Sequence, residues 1–244
     1  MDQSVRRINK NFFLLTIFGV AMGFLEAIVV VYLRELCYPQ GFTFPLSPMP
    51  SNILVVELLR EISTIVMLVS IGLITGENFL QKLSYFLYSF GVWDIFYYVA
   101  LKLLLNWPPS LMTWDILFLI PVAWVSPVLA PIICSLTMIV MSGVIVWLQG
   151  KGYGIKIKSL EWILLIGGAF IIFCTFIQDF SRIIIKGGFL SSFFTLVNNQ
   201  CFWEVVSQYK PSNFNWCLFC VGEFFILLTL FIVFRRVKSA SYKN

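Results

Sequence analysis

Apolar positions run through this chain in six long stretches, separated by short polar or proline-bearing segments: Phe12 to Leu33, Ile53 to Thr75, Leu83 to Leu105, Trp124 to Leu148, Leu160 to Phe180 and Trp216 to Phe234. Each is about 20 residues long, the length a helix needs to cross bilayer hydrocarbon. The pattern predicts an all-α, polytopic membrane helix bundle with about six transmembrane helices. With no internal repeat and no low-complexity tract, residues 1–244 read as a single integral membrane domain. Six crossings place both termini on one side. The first stretch carries Glu26 and has no clean small-residue cleavage site after it, so it reads as an uncleaved signal-anchor.

The connections differ in character. Arg34 to Asn52 is rich in proline (Pro39, Pro45, Pro48, Pro50), which suits a structured, non-helical cover over the bundle. After Asn106-Trp107-Pro108-Pro109-Ser110 comes Thr113-Trp114-Asp115-Ile116, which reads as a helix start with Thr113 as N-cap. That helix must stop near Pro121 after about eight residues, roughly 12 Å, so it predicts a short outer half-helix rather than a crossing. A surface hairpin is the alternative for the same residues. Ser181 to Asn198 reads as a second amphipathic piece lying along the outer interface.

Composition then narrows the class. Charged residues make up 12% of the chain and apolar ones 59%, with a mean hydropathy of +0.90, against roughly 25% charged in soluble domains. There is no histidine, which excludes haem ligation by His, His-based zinc sites and Ser-His-Asp or Cys-His catalysis. Eleven Lys and Arg residues fall on the side of the termini (Arg6, Arg7, Lys10, Lys82, the lysines of 151–158, Arg235, Arg236, Lys238, Lys243), against five on the other (Arg34, Lys102, Arg182, Lys186, Lys210). This bias predicts a multi-pass protein of the cell inner membrane with N and C termini cytoplasmic. The formal charge of +5 therefore belongs to flanks that face anionic membrane lipids, and no nucleic-acid partner is expected. Trp107, Trp114, Trp124, Trp203 and Trp216 at the outer interface, with Trp147 and Trp162 at the inner one, fit an aromatic belt.

Ionisable residues inside spans are costly, and here they gather in the outer half. Glu26, Glu61 and Glu223 share a level about 10 to 12 Å below the outer surface at 1.5 Å per residue. Glu57 and Arg60 sit just above it, Asp94 is nearer the midplane, and Arg34, Lys102, Asp115, Asp179 and Arg182 rim the mouth. Glu57, Arg60, Glu61 and Thr64 occupy one helical face. Gly19 and Gly23 form a G-x-x-x-G stripe that continues to Glu26, so Glu26 should face protein. The five intramembrane carboxylates exceed Arg60, Arg34 and Lys102 by two charges, which calls for protonation, for Arg182 to fold in, or for a bound cation.

The candidate chemistry follows. Glu57, Glu61 and Asp94 form an all-oxygen set suited to a divalent cation (Mg, Ca or Mn) or to general-base work. Arg60 and Lys102 would neutralise developing negative charge, and Glu26 would act as the protonated acid. Arg34, Tyr98, Trp114, Asp115 and Arg182 are the candidate binding residues for an anionic small molecule or lipid headgroup. The leading expectation is a membrane-embedded enzyme with an outward-opening polar cavity. A proton- or cation-coupled transporter is the second reading, disfavoured by an almost uncharged inner half. The third is a non-catalytic subunit or assembly factor whose buried pairs only fix helix register.

Two resemblances bear on this. Glu57-Leu-Leu-Arg60-Glu61 contains E-x-x-x-E, which resembles one element of the undecaprenyl-pyrophosphate phosphatases, but their glycine-, serine- and arginine-rich phosphate loop has no counterpart here. Cys217-Leu-Phe-Cys220 is a C-x-x-C at a helix start, and with Cys37 and Cys201 it is similar to the outer cysteine pairs of membrane disulfide-generating enzymes. Structural disulfides or plain packing residues account for these cysteines equally well.

Overall fold

The computed structural model describes residues 3–47, 49–191, 196 and 199–241. Pro48, Lys243 and residues 192–195 and 197–198 of the piece expected over Ser181 to Asn198 lie outside the described residues. The chain forms α1 (Gln3–Cys37), α2 (Ser51–Thr75), α3 (Phe79–Leu105), a hairpin of β1 (Trp114–Ile116) and β2 (Val125–Pro127), α4 (Leu129–Gly150), α5 (Ser159–Lys186), α6 (Gln200–Val206) and α7 (Trp216–Ser241). The architecture is all-α apart from that hairpin.

Five helices, α1, α3, α4, α5 and α7, are long and apolar enough to cross a membrane, which makes this a multi-pass membrane protein in contact with lipid. The sixth expected span, α2, has 25 residues but is interrupted by Glu57, Arg60 and Glu61 and is not among the five. Helix α5 runs on to Lys186, so the start of the expected interfacial piece belongs to it, and a separate short helix, α6, follows under an Asn199 cap.

Helix α3 is the hub, packed against α1, α2 and α4, while α5 pairs with α7. Small residues set both close approaches. A Cβ on Gly23 would sit 2.8 Å from the Trp93 carbonyl oxygen and the Tyr97 nitrogen, so α1 reaches the α3 backbone only because Gly23 lacks one. Gly168 and Gly222 play the same part between α5 and α7.

Polar clamps tie one end of the bundle. Arg7 pairs with Glu77 in the α2–α3 turn, the Gln149 amide donates to Asn78 at 3.3 Å, and Arg236 near the end of α7 donates to both Glu161 oxygens at 3.0 and 2.9 Å. The start of α1 and the end of α7 therefore lie at one end of the bundle, the terminal end. The hairpin lies at the other.

The half-helix expected from Thr113 to Pro121 does not form. Trp114, Asp115 and Ile116 pair antiparallel with Pro127, Ser126 and Val125, extended by Leu117 N–H to the Trp124 carbonyl at 2.9 Å and Val128 N–H to the Thr113 carbonyl at 2.9 Å. Pro121 and Pro127 cannot donate to a helical ladder, and the flanking Ile116, Val122 and Val125 suit extended backbone. The strand pairing bonds the backbone around Asp115 and Ser126, which are buried at 2% and 0% exposure. Pro127 also delays α4, which begins five residues later than its apolar stretch.

Candidate functional site

Helical spacing puts Glu57, Arg60, Glu61 and Thr64 on one face of α2. Arg60 is forked onto Glu57, with Nε at 2.9 and 3.0 Å from its two oxygens and Nη2 at 2.6 Å. Its Nη1 lies 2.8 Å from Glu26 Oε2 on α1 and donates to Thr64 at 3.4 Å. Gly23, one turn before Glu26, holds α1 close against α3 and so sets where Glu26 stands. Glu57 is 7% exposed, so neither it nor Arg60 would sit here without the other.

Glu61 belongs to the hairpin instead. Both of its oxygens accept the Leu119 backbone N–H, at 2.9 and 3.1 Å. Asp115 on β1 accepts the Tyr98 hydroxyl at 3.2 Å and lies 3.5 Å from Arg34 Nη2. Burial pushes the Asp115 carboxyl up to about 6, against the pull of the Arg34 guanidinium. Arg34 itself stands between two rings, 4.7 Å from the Phe42 centroid and 3.9 Å from that of Trp107.

These groups enclose one cavity of about 110 Å³, into which Glu26, Arg34, Glu57, Arg60, Glu61 and Asp115 converge from α1, α2 and β1. It has room for several waters or a small polar group. Tyr97 lines it directly, and Tyr98 reaches it through Asp115. Four carboxylates against two guanidinium groups leave the lining acidic. Arg34, Tyr38 and Phe42 also line a second recess of about 180 Å³ beside Trp107, so Arg34 stands at the boundary of the two.

The other expected site residues lie elsewhere. Asp94 accepts the Ser135 hydroxyl at 2.7 Å in the α3–α4 contact. Lys102 is exposed and donates to the Asn106 and Pro108 carbonyls at 3.3 and 3.1 Å, closing the end of α3. Trp114 packs edge-on to Phe214, and Arg182 stays exposed, 3.8 Å from Asp179. Glu223, expected at the level of Glu26 and Glu61, faces α4 and accepts the Thr137 hydroxyl at 2.8 Å. Among the described residues no group of three or more Cys, Asp or Glu is arranged to hold a metal ion. All six cysteines are free.

Three neighbours of the candidate site were not visible in the sequence: Phe42 and Trp107 around Arg34, and the Leu119 N–H on Glu61. The first two come from connections on different helices, and the third needs the hairpin. Fold and cavity together define a multi-pass membrane protein with an acidic, arginine-bearing pocket at the hairpin end. No protein-family model, curated protein or solved structure matches the chain.

Proposed function

We propose that the chain is a six-span inner-membrane protein, both termini cytoplasmic, whose cavity opens outward and binds a cation together with an anionic group, free or joined in one zwitterionic headgroup. The observation that carries this reading is the convergence of Arg34, Arg60 and four carboxylates on one cavity of about 110 Å³. The excess of carboxylates attracts a cation or an ammonium. Arg34, held by rings and a single 3.5 Å carboxylate contact, keeps donors for a phosphate or carboxylate.

Counting α2 as the sixth span rests on its 25-residue length and its packing along α3. The orientation rests on the basic residues gathered at the terminal end. In the enzymatic form of the reading, Glu61 and Glu26 exchange protons with the ligand while Arg34 and Arg60 stabilise negative charge. A non-catalytic role is the second reading, favoured by the Arg60–Glu57–Glu26 cluster, whose members already satisfy one another.

The test is thermal unfolding of the purified protein in detergent, titrated with phosphoethanolamine and, separately, with Mg²⁺ plus inorganic phosphate. Saturable stabilisation by either, weakened in Arg34→Gln and Glu61→Gln, is the expected result. No shift in the unaltered protein with either probe would overturn the binding reading and leave the non-catalytic one.

A further inference from the structure

Three cavities meet at the tip of the hairpin. Glu61 lines the polar cavity and also a groove of about 320 Å³ whose remaining walls are apolar, among them Ile62, Val66, Phe118 and Ile120. Leu119 lines the polar cavity and a second apolar hollow of about 290 Å³, and Ile120 lines both apolar spaces. The Leu119–Glu61 hydrogen bond is thus the partition between a charged chamber and a hydrocarbon-like one.

The groove opens sideways. Helix α2 has α3 as its main packing partner, and Ile62 and Val66 are 49% and 57% exposed on it. In a membrane protein such a surface faces lipid. From Glu61 to Val66 the groove runs about 7.5 Å along the α2 axis, enough to seat the first several methylenes of a hydrocarbon chain whose remainder continues into lipid. From Glu61, the groove follows α2 away from the hairpin end, as lipid tails run from their headgroups.

We infer that the ligand is an amphiphile of the bilayer, a phospholipid with a zwitterionic phosphoethanolamine-type head, with its head in the Arg34–Glu26–Asp115 cavity and one hydrocarbon chain in the groove between α2 and the hairpin. This rests on the polar cavity being a binding site. Charge favours such a head, because its ammonium meets the surplus carboxylates and its phosphate meets Arg34. Continuity favours the chain, because Glu61 borders both spaces. The partition sets the order: the head passes the Glu61–Leu119 edge while the chain stays in the groove.

The experiment uses the full chain in nanodiscs containing phosphatidylethanolamine with a photoactivatable diazirine in its acyl chain, followed by peptide mapping of the adducts. Adducts should concentrate at Ile62, Val66, Phe118 and Ile120 rather than spread over other lipid-facing residues such as Phe170 and Phe224. Arg34→Gln, which weakens the head contact, should lower the groove adducts several-fold, and Val66→Trp, which fills the groove, should do the same. Val66 is exposed, so its variant should fold, and Ile62→Trp serves as a second groove filler. Adducts spread evenly, or groove adducts indifferent to Arg34→Gln, would overturn the inference even where soluble phosphoethanolamine still stabilises the protein. Failure of both phosphoethanolamine and Mg²⁺ plus inorganic phosphate to stabilise the unaltered protein would overturn the cavity reading itself.

Discussion

The backbone N–H of Leu119 donates to both carboxylate oxygens of Glu61, 58 residues away in sequence, at 2.9 and 3.1 Å. This bond holds the hairpin tip against α2 where the packing around it is apolar and open. In Glu61→Gln the charge-assisted bond becomes a neutral one, and the expected loss is about 1 kcal/mol. Thermal unfolding should show it, together with faster hydrogen exchange at Leu119. Unchanged exchange there would mean that the tip is held by its apolar contacts.

Arg60 is the shared partner of Glu57 and Glu26. Arg60→Met leaves two buried carboxylates without their cation and should cost about 3–5 kcal/mol. Arg60→Lys keeps the charge but loses the fork onto Glu57, so its melting temperature should fall between the two. Equal stability of all three proteins would contradict the cluster as drawn.

A side chain at Gly23 must displace α1 from α3, because a Cβ there meets backbone at 2.8 Å. Gly23→Leu should destabilise by about 1–3 kcal/mol and move Glu26 away from Arg60. Gly143, whose Cβ would meet nothing within 4 Å, is the control, and Gly143→Ala should leave the melting temperature unchanged or raise it.

Asp115 gives a pH signature. Its carboxyl is raised by burial from 3.8 to about 6, so folding favours its protonated form. The stability it contributes is fully present below pH 3.8 and is lost as pH rises through about 6. Asp115→Asn, which stays neutral, should flatten that part of the stability profile measured by thermal unfolding. An identical slope in the variant would assign the dependence to other groups.

The proposed orientation can be read by labelling. Cys201 on α6 is exposed near the hairpin end, and Ser239 is exposed near the end of α7. With the other cysteines replaced by serine, a membrane-impermeant maleimide should reach Cys201 in intact spheroplasts, and should reach a Cys introduced by Ser239→Cys in a chain also lacking Cys201 only after permeabilisation. Labelling in the reverse order would invert the topology.

The helices were legible because their signal is local: long apolar runs, and a Gly19/Gly23 stripe that fixes which face of α1 meets a neighbour. The α2 face was legible for the same reason, since Glu57, Arg60 and Glu61 are brought together by one helix. The hairpin was legible only as one of two readings of the same residues. Thr113-Trp114-Asp115 carries a valid helix-start signature, and only pairing with Val125 to Val128, ten or more residues on, decides against it. Glu223 shows a second limit. Counting residues along a helix gives depth but not the direction a side chain faces, and Glu223 turns toward Thr137 on α4 rather than toward Glu61. Lys102 shows a third, because the loose end of α3 supplies carbonyls that claim it.

Arg34, clasped between Phe42 and Trp107, borders both the recess of about 180 Å³ and the charged cavity of about 110 Å³. Tyr38 and Phe42 border both spaces as well, so these three side chains build the wall between them. The guanidinium that faces the charged cavity is therefore the one that also closes the recess, so a ligand drawing Arg34 inward must loosen it from two rings and from Asp115.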